Sequence, residues 1–240
     1  MGERVLIVNA DDFGLSQGVN DGVAKAHQHG ILTSASLMVR GRGAAEAAAL
    51  GRRTPSLSVG LHVDLGEWEF RDGEWSLGYH VVVPEDEEAT RAEVAEQLEL
   101  FRGLMDREPT HLDSHQHVHV VTPASGVLAA LGAELGVPVR RLSSEVAYNG
   151  GFYGQSSKGY PHPEAITVSS LSELIAAIPA GVTEVSCHPA VSVDFESVYA
   201  DERIAELETL CDPGLRDVLT REGIALRSFA ELNSTRNAAR

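Results

Sequence analysis

Apolar positions along the chain alternate between two rhythms. Short, nearly unbroken apolar runs read as buried strands: "RVLIVNA" (4–10), "ILTSASLMV" (31–39), "LSVGLHVDL" (57–65), "PTHLDSH" (109–115), "VPVRRL" (137–142), "VTEVSCHPA" (182–190) and "IALRSF" (224–229). Between them, apolar residues recur at helical spacing. Val19, Val23 and Ala26 mark a helix over 16–30, with Ser16 as its cap and Gly30 as its stop. An Ala-rich segment predicts a helix over 43–53, and Val94, Leu98, Phe101 and Met105 mark one from about 85 to 105. Further helices are predicted over 124–136, over 171–179 and near 201–221.

Strands that alternate with helices through short connections form a parallel sheet covered by helices. About seven strands in 240 residues favour an α/β fold of the β/α-barrel type, closed or distorted. A doubly wound open sheet is the alternative. The chain shows no repeat or linker, so residues 1–240 are expected to form a single domain. Two segments break the rhythm and are expected as inserted rim loops. Residues 66–84 carry both tryptophans, Trp68 and Trp75. Residues 143–170 are rich in Gly, Ser and Tyr and are expected to be an irregular, mobile cover.

The nine residues "HLDSHQHVH" (111–119) do not suit an ordinary core strand. His111, Asp113, His115, His117 and His119 occupy alternate positions, so in extended chain they share one face. The strand is expected to end near His115, which leaves His117 and His119 as solvated loop residues. Polar groups also close other strands: Asp11 and Asp12 the first, His62 and Asp64 the third, His188 the penultimate one, while Arg140 lies on the fifth. Taken singly, each has a plain reading as a cap, a turn residue or a hydrogen-bonded core histidine. Their recurrence at the same end of successive strands is the pattern of a barrel active site, and carboxylates with imidazoles are what a hydrolytic metal site needs.

Composition narrows the partners. A net charge of −16 argues against nucleic acid or an anionic membrane as the main partner. No apolar run approaches the roughly 20 residues of a membrane span. Two cysteines, Cys187 and Cys211, give neither a disulfide framework nor a four-cysteine zinc site, and a cytoplasmic location is expected. The oligomeric state is left open, a homodimer included.

"LIVNADDFGLSQGVNDGV", "GLHVDL", "THLDSHQHVH" and "CHPA" stand in the order found in the YdjC/ChbG family of carbohydrate deacetylases, which the chain resembles from residue 4 to about 229. The resemblance implies a deacetylase-type β/α barrel, a divalent metal and removal of acetyl groups from N-acetylated sugars such as chitooligosaccharides. It implies Asp12, His62 and His115 as metal ligands, Asp11 as general base, His188 as acid and Arg140 as the residue orienting the base. On that reading His111 and Asp113 lie beneath the metal. Family resemblance points to Mg²⁺, whereas one carboxylate and two imidazoles suit Zn²⁺ or another transition metal. Trp68, Trp75, Tyr148, Phe152, Tyr153 and Tyr160 are candidates to stack on sugar rings. Three rivals remain: a glycan deacetylase acting on a glycosylated lipid or another acetylated amino sugar, a metal-free glycosidase pairing Asp11 with Asp64 or Asp113, and a non-catalytic sugar-binding barrel.

Overall fold

The computed structural model describes residues 2–71, 73–83 and 85–238. Seven parallel strands form one curled sheet. In chain order they are β1 (Arg4–Phe13), β2 (Ser34–Leu37), β3 (Ser58–Val63), β6 (Leu112–Ser114), β7 (Val146–Asn149), β8 (Gly181–Cys187) and β9 (Ile224–Leu226). The spatial order is β6-β3-β2-β1-β8-β7. Along one edge β1 pairs with β8 from Arg4 to Ala10; along the other it pairs first with β9 and then, from Asn9 onward, with β2. This exchange of neighbours curls the sheet into a half-barrel around β1, which is buried from Val5 to Phe13. Apolar side chains from Leu6 to Ile224 form its principal core cluster.

Helices cover the outside: α1 (Gln17–His29), α2 (Ala44–Arg53), α3 (Glu87–Met105), α4 (Ala124–Leu135), α5 (Val168–Ala177), α6 (Ala200–Leu210), α7 (Gly214–Glu222) and α8 (Phe229–Ala238). The Ser16 hydroxyl accepts from Val19 N at 3.4 Å and caps α1 as its sequence predicts. Val94, Leu98, Phe101 and Met105 of α3 are all buried. No described helix is long and apolar enough to cross a membrane.

Three expected elements differ. Residues 137–142 make one bridge, Val139 to Leu112, rather than a strand. Pro138 has no N–H to donate, and Arg141 turns away with φ 61°. Within the segment 66–84, expected as an inserted rim loop and of which residues 72 and 84 lie outside the described residues, β4 (Gly66–Arg71) and β5 (Glu74–His80) form an antiparallel hairpin standing off the main sheet. Its alternating side chains suit a two-faced ribbon, and Gly73, at φ 88°, lies at the turn. Residues 143–170 are more ordered than a loose cover. They supply β7, paired with β8, and bury Phe152 at 1% exposure. Phe152 is therefore core and unavailable to a substrate.

Candidate active site

The C-terminal ends of β1, β3, β6 and β8 converge on a cavity of about 600 Å³. Asp11, Asp12, His62, His115, His117, Tyr148, His188 and Arg203 are among its lining residues. Adjacent residues of a regular strand face opposite sides of a sheet, yet Asp11 and Asp12 both face this cavity. A register shift makes this possible: Ala10 pairs with Ala35 but Phe13 with Leu37, which leaves one extra residue in β1. Within the bulge Asp12 adopts φ 62°, left-handed backbone that a non-glycine residue rarely takes.

Asp12 Oδ1 lies 3.3 Å from His62 Nε2 and 3.1 Å from His115 Nδ1. Its second oxygen accepts from Arg203 Nη2 at 2.6 Å. The other face of His62 is fixed by Asp113, whose Oδ1 is 2.8 Å from Nδ1. That leaves His62 Nε2 buried without a hydrogen-bond partner, while His115 Nε2, the nitrogen not facing Asp12, lies 3.8 Å from Glu67 Oε2. A buried, partnerless imidazole nitrogen aimed at a carboxylate, with a second carboxylate behind the ring, is the arrangement of a metal-binding histidine. Asp12, His62 and His115 bring ligand atoms within 4.8 Å of one another, so the donor set fits a divalent cation. Asp11, His62 and Asp113 meet the same distance criterion, but the Arg140 guanidinium stands between those two carboxylates.

Burial disfavours the imidazolium of His62, but Asp113 and then Asp12 outweigh it and raise its pKa to about 10. His115 rises to about 9 in the same way, with Asp12 the main opposing influence. Burial opposes the anionic form of Asp12, but Arg203 and His115 hold its carboxyl well below the usual range.

Beneath this group lies Arg140, fully buried. It donates from Nη1 and Nη2 to both oxygens of Asp11 (2.6 and 2.7 Å) and from Nε to Glu184 Oε1 (2.8 Å). Its Nη2 is also 2.9 Å from Asp113 Oδ2. Asp11 accepts a further bond from Asn9 Nδ2 at 3.0 Å. Burial pushes the Asp11 carboxyl up, but Arg140 reverses this and keeps it anionic. Glu184 fares differently: burial prevails over Arg140 and raises its pKa to about 7. His111 sits deeper, stacked on Phe229 at 3.9 Å between centroids and joined to Asp113 through Ser36 Oγ. Gly60 admits its ring, since a Cβ there would lie 2.5 Å from it. Burial lowers the His111 pKa to about 4, so it is neutral near pH 7.

His188 follows β8 and points Nε2 toward Asp11 Oδ2 at 4.0 Å. Its Nδ1 faces Glu206 Oε1 at 3.6 Å, and Glu206 also accepts from the Tyr199 hydroxyl at 2.6 Å. Tyr153 and Tyr199 flank the ring edge-on.

His119 is not a solvated loop residue, and His117 is half-buried at the cavity wall. His119 is fully buried, bonded to Ser114 Oγ at 2.6 Å and to Arg140 O at 2.9 Å. His117 lines the cavity and meets the Tyr148 hydroxyl at 2.9 Å. Left-handed backbone at Gln116 (φ 49°) and His117 (φ 55°) coils the segment into a tight turn over His115–Val120, ending the alternation at Ser114. Burial lowers the His117 pKa to about 3. Asp64 lies away from the cavity lining, accepting from Gly66 N and from the Tyr79 hydroxyl, each at 3.0 Å. Trp68, Trp75, Tyr148 and Tyr153 line the cavity, and Tyr160 packs edge-on against Phe70.

Sequence reading missed Glu184, Arg203 and Glu206. Glu184 was legible in principle: in "TEVSCHPA", Glu184, Ser186 and His188 alternate, so a carboxylate shares the inward face. Arg203 and Glu206 lie in "ADERIAELETL", where charges at helical spacing look like an ordinary solvated face.

The family model described as YdjC-like protein matches residues 5–221. This chain belongs to the YdjC-like family. Two family relatives carry the name chitooligosaccharide deacetylase. The Serratia marcescens protein is 34% identical, covering 96% of this chain and all of its own. The Klebsiella pneumoniae (strain 342) protein is 38% identical with the same coverage. Among solved structures, a candidate cellobiose-phosphate cleavage protein of Enterococcus faecalis V583 superposes with a TM-score of 0.75. It is 25% identical and covers 96% of this chain and 99% of its own. A family 4 carbohydrate esterase from Streptomyces lividans, solved with acetate, is 13% identical. Its TM-score is 0.55, over 94% of this chain and 92% of its own, a likeness of fold.

Proposed function

We propose that this protein is a metal-dependent hydrolase that removes the acetyl group from N-acetylated amino sugars, short chitooligosaccharides first among them. The observation that carries the reading is the convergence of His62 Nε2 and His115 Nδ1 on one oxygen of Asp12, beside Asp11 and His188 in one cavity. Asp12, His62 and His115 would hold the ion. A divalent cation there supplies Lewis-acid polarisation of an amide carbonyl and of water. By ligand type it is Zn²⁺ or another transition metal; the family resemblance favours Mg²⁺.

The protein's own residues do the rest. Asp11, anionic and aligned by the Arg140 fork, takes a proton from the attacking water. His188, with Glu206 behind Nδ1 and Nε2 toward the cavity, delivers a proton to the departing nitrogen. An amine leaves poorly until it is protonated, so amide cleavage needs both carriers. Trp68, Trp75, Tyr148 and Tyr153 offer faces for pyranose rings. The rival glycosidase lacks a second carboxylate among the residues named for it, because Asp113 is fully buried against Arg140 and Asp64 is bonded to the hairpin. We also read residues 1–240 as one domain. A cytoplasmic location is consistent with two free cysteines.

The test is mass spectrometry of metal-supplemented enzyme with N,N′-diacetylchitobiose and longer homologues. Loss of one acetyl group per molecule is expected. Glycosidic cleavage would point to the glycosidase. Absence of turnover on every acetylated sugar, with hydrolysis of a non-sugar amide, would overturn the substrate class.

A further inference from the structure

We propose that Arg203 is a positioning residue that restricts Asp12 to a single metal-facing oxygen. Its ion-binding part rests on geometry alone; its kinetic part rests on the deacetylase reading above. A carboxylate with both oxygens free can bite a cation with both. Here the two oxygens of Asp12 are divided. Oδ1 faces His62 and His115, while Oδ2 accepts a short charge-assisted bond from Arg203 Nη2 at 2.6 Å. The strained backbone of Asp12 aims the carboxylate, and Arg203 sets its rotation.

Arg203 is an unusual residue to find at this point. It comes from α6, an otherwise acidic helix, and is only 5% exposed. A buried guanidinium is normally satisfied through most of its five N–H groups, because desolvation is expensive. In this protein Nε and Nη1 have no hydrogen-bond partner, and the head group packs over the Phe195 ring with Cζ 5.6 Å from its centroid. The hydrogen bond to Asp12 is the one it makes among the described residues. Arg140, equally buried, is shared among Asp11, Asp113 and Glu184, whereas Arg203 commits its bond to one oxygen of one ligand carboxylate. With Oδ2 taken, the three ligands occupy fewer positions around an ion and leave more for water and a substrate oxygen. The guanidinium charge also withdraws electron density from the ligand carboxylate, which favours polarisation of whatever fills those positions.

The experiment compares wild type, Arg203→Met and Arg203→Lys as full chains, with Co²⁺ alone as the probe. Calorimetry reads affinity, and the visible absorption of bound Co²⁺ reads coordination, which geometry governs. In Arg203→Met the Co²⁺ band is expected to weaken as Asp12 contributes its second oxygen, while affinity stays within about tenfold of wild type, because removing a nearby cation offsets lost alignment. Arg203→Lys should recover part of the wild-type band. On diacetylchitobiose, kcat of Arg203→Met is expected to fall by about 10- to 100-fold with KM nearly unchanged. An unchanged Co²⁺ spectrum in Arg203→Met overturns the proposal. So does binding weakened beyond tenfold in both variants together with a lower melting temperature, which would make Arg203 a structural brace. If wild type releases no acetate, the deacetylase reading fails, while the Co²⁺ measurements still decide the role of Arg203.

Discussion

The floor of the cavity and its hairpin wall are built on opposite principles. On the floor, Asp11, Asp12, His62, Asp113, Arg140 and Glu184 are all buried, and each side chain meets at least one charged neighbour. Little can move there, because a displaced ion would be left buried without its partner. The hairpin wall is exposed along all of β5, and Trp75 is 59% exposed. Polar contacts hold it: the Gln116 amide bonds Trp68 N and O, each at 2.8 Å, and Tyr79 reaches Asp64. A floor held by charge suits chemistry that needs fixed distances. A wall held by a few hydrogen bonds, worth about 1 to 3 kcal/mol each, can adjust to what it binds.

That contrast can be broken at its strongest point first. Asp11→Asn should keep the ion yet lose about 10²- to 10⁴-fold in turnover, the usual range for a general base. Loss of the ion in this variant would make Asp11 a ligand, and near-normal turnover would remove it from the mechanism. Next, His115→Ala should weaken Zn²⁺ binding by at least about 100-fold, since one of three protein ligands is gone. Calorimetry showing wild-type affinity would place the ion elsewhere.

The wall should respond more mildly. Trp75→Ala is expected to raise KM about fivefold, roughly 1 kcal/mol of aromatic contact, with kcat unchanged. A fall in kcat without a change in KM would mean that the hairpin takes part in the chemistry.

The smallest effect sharpens the picture of the floor. The Glu184 carboxyl has an ordinary pKa of 4.5 and rises to about 7 in the fold, so the folded state binds the extra proton. Its contribution to stability is therefore complete below about pH 4.5 and is lost as pH rises through about 7. Glu184→Gln keeps an oxygen for Arg140 and removes this titration. The melting temperature of the variant should gain on wild type between pH 4.5 and 8. An equal difference at both ends would show that Glu184 ionises like an exposed carboxyl.

By itself the sequence determined the alternation of strands and helices, the caps of α1, the buried face of α3, and the strand ends at which Asp11, Asp12, His62 and Asp113 lie. These depend on local periodicity and on which residues stop an element, and both are written in neighbouring positions. Tertiary structure alone decided the rest. It added Glu184 to the carboxylates around Arg140 and turned an apparently solvated helix so that Arg203 met Asp12, 191 residues away. It buried His119 and brought His117 to the cavity wall by coiling the chain with left-handed backbone at Gln116 and His117. It withdrew Phe152 into the core and raised a hairpin where the rhythm broke. A charge on a helix or loop looks the same in sequence whether water or a carboxylate solvates it. Packing makes that choice, and packing is settled only when distant segments meet.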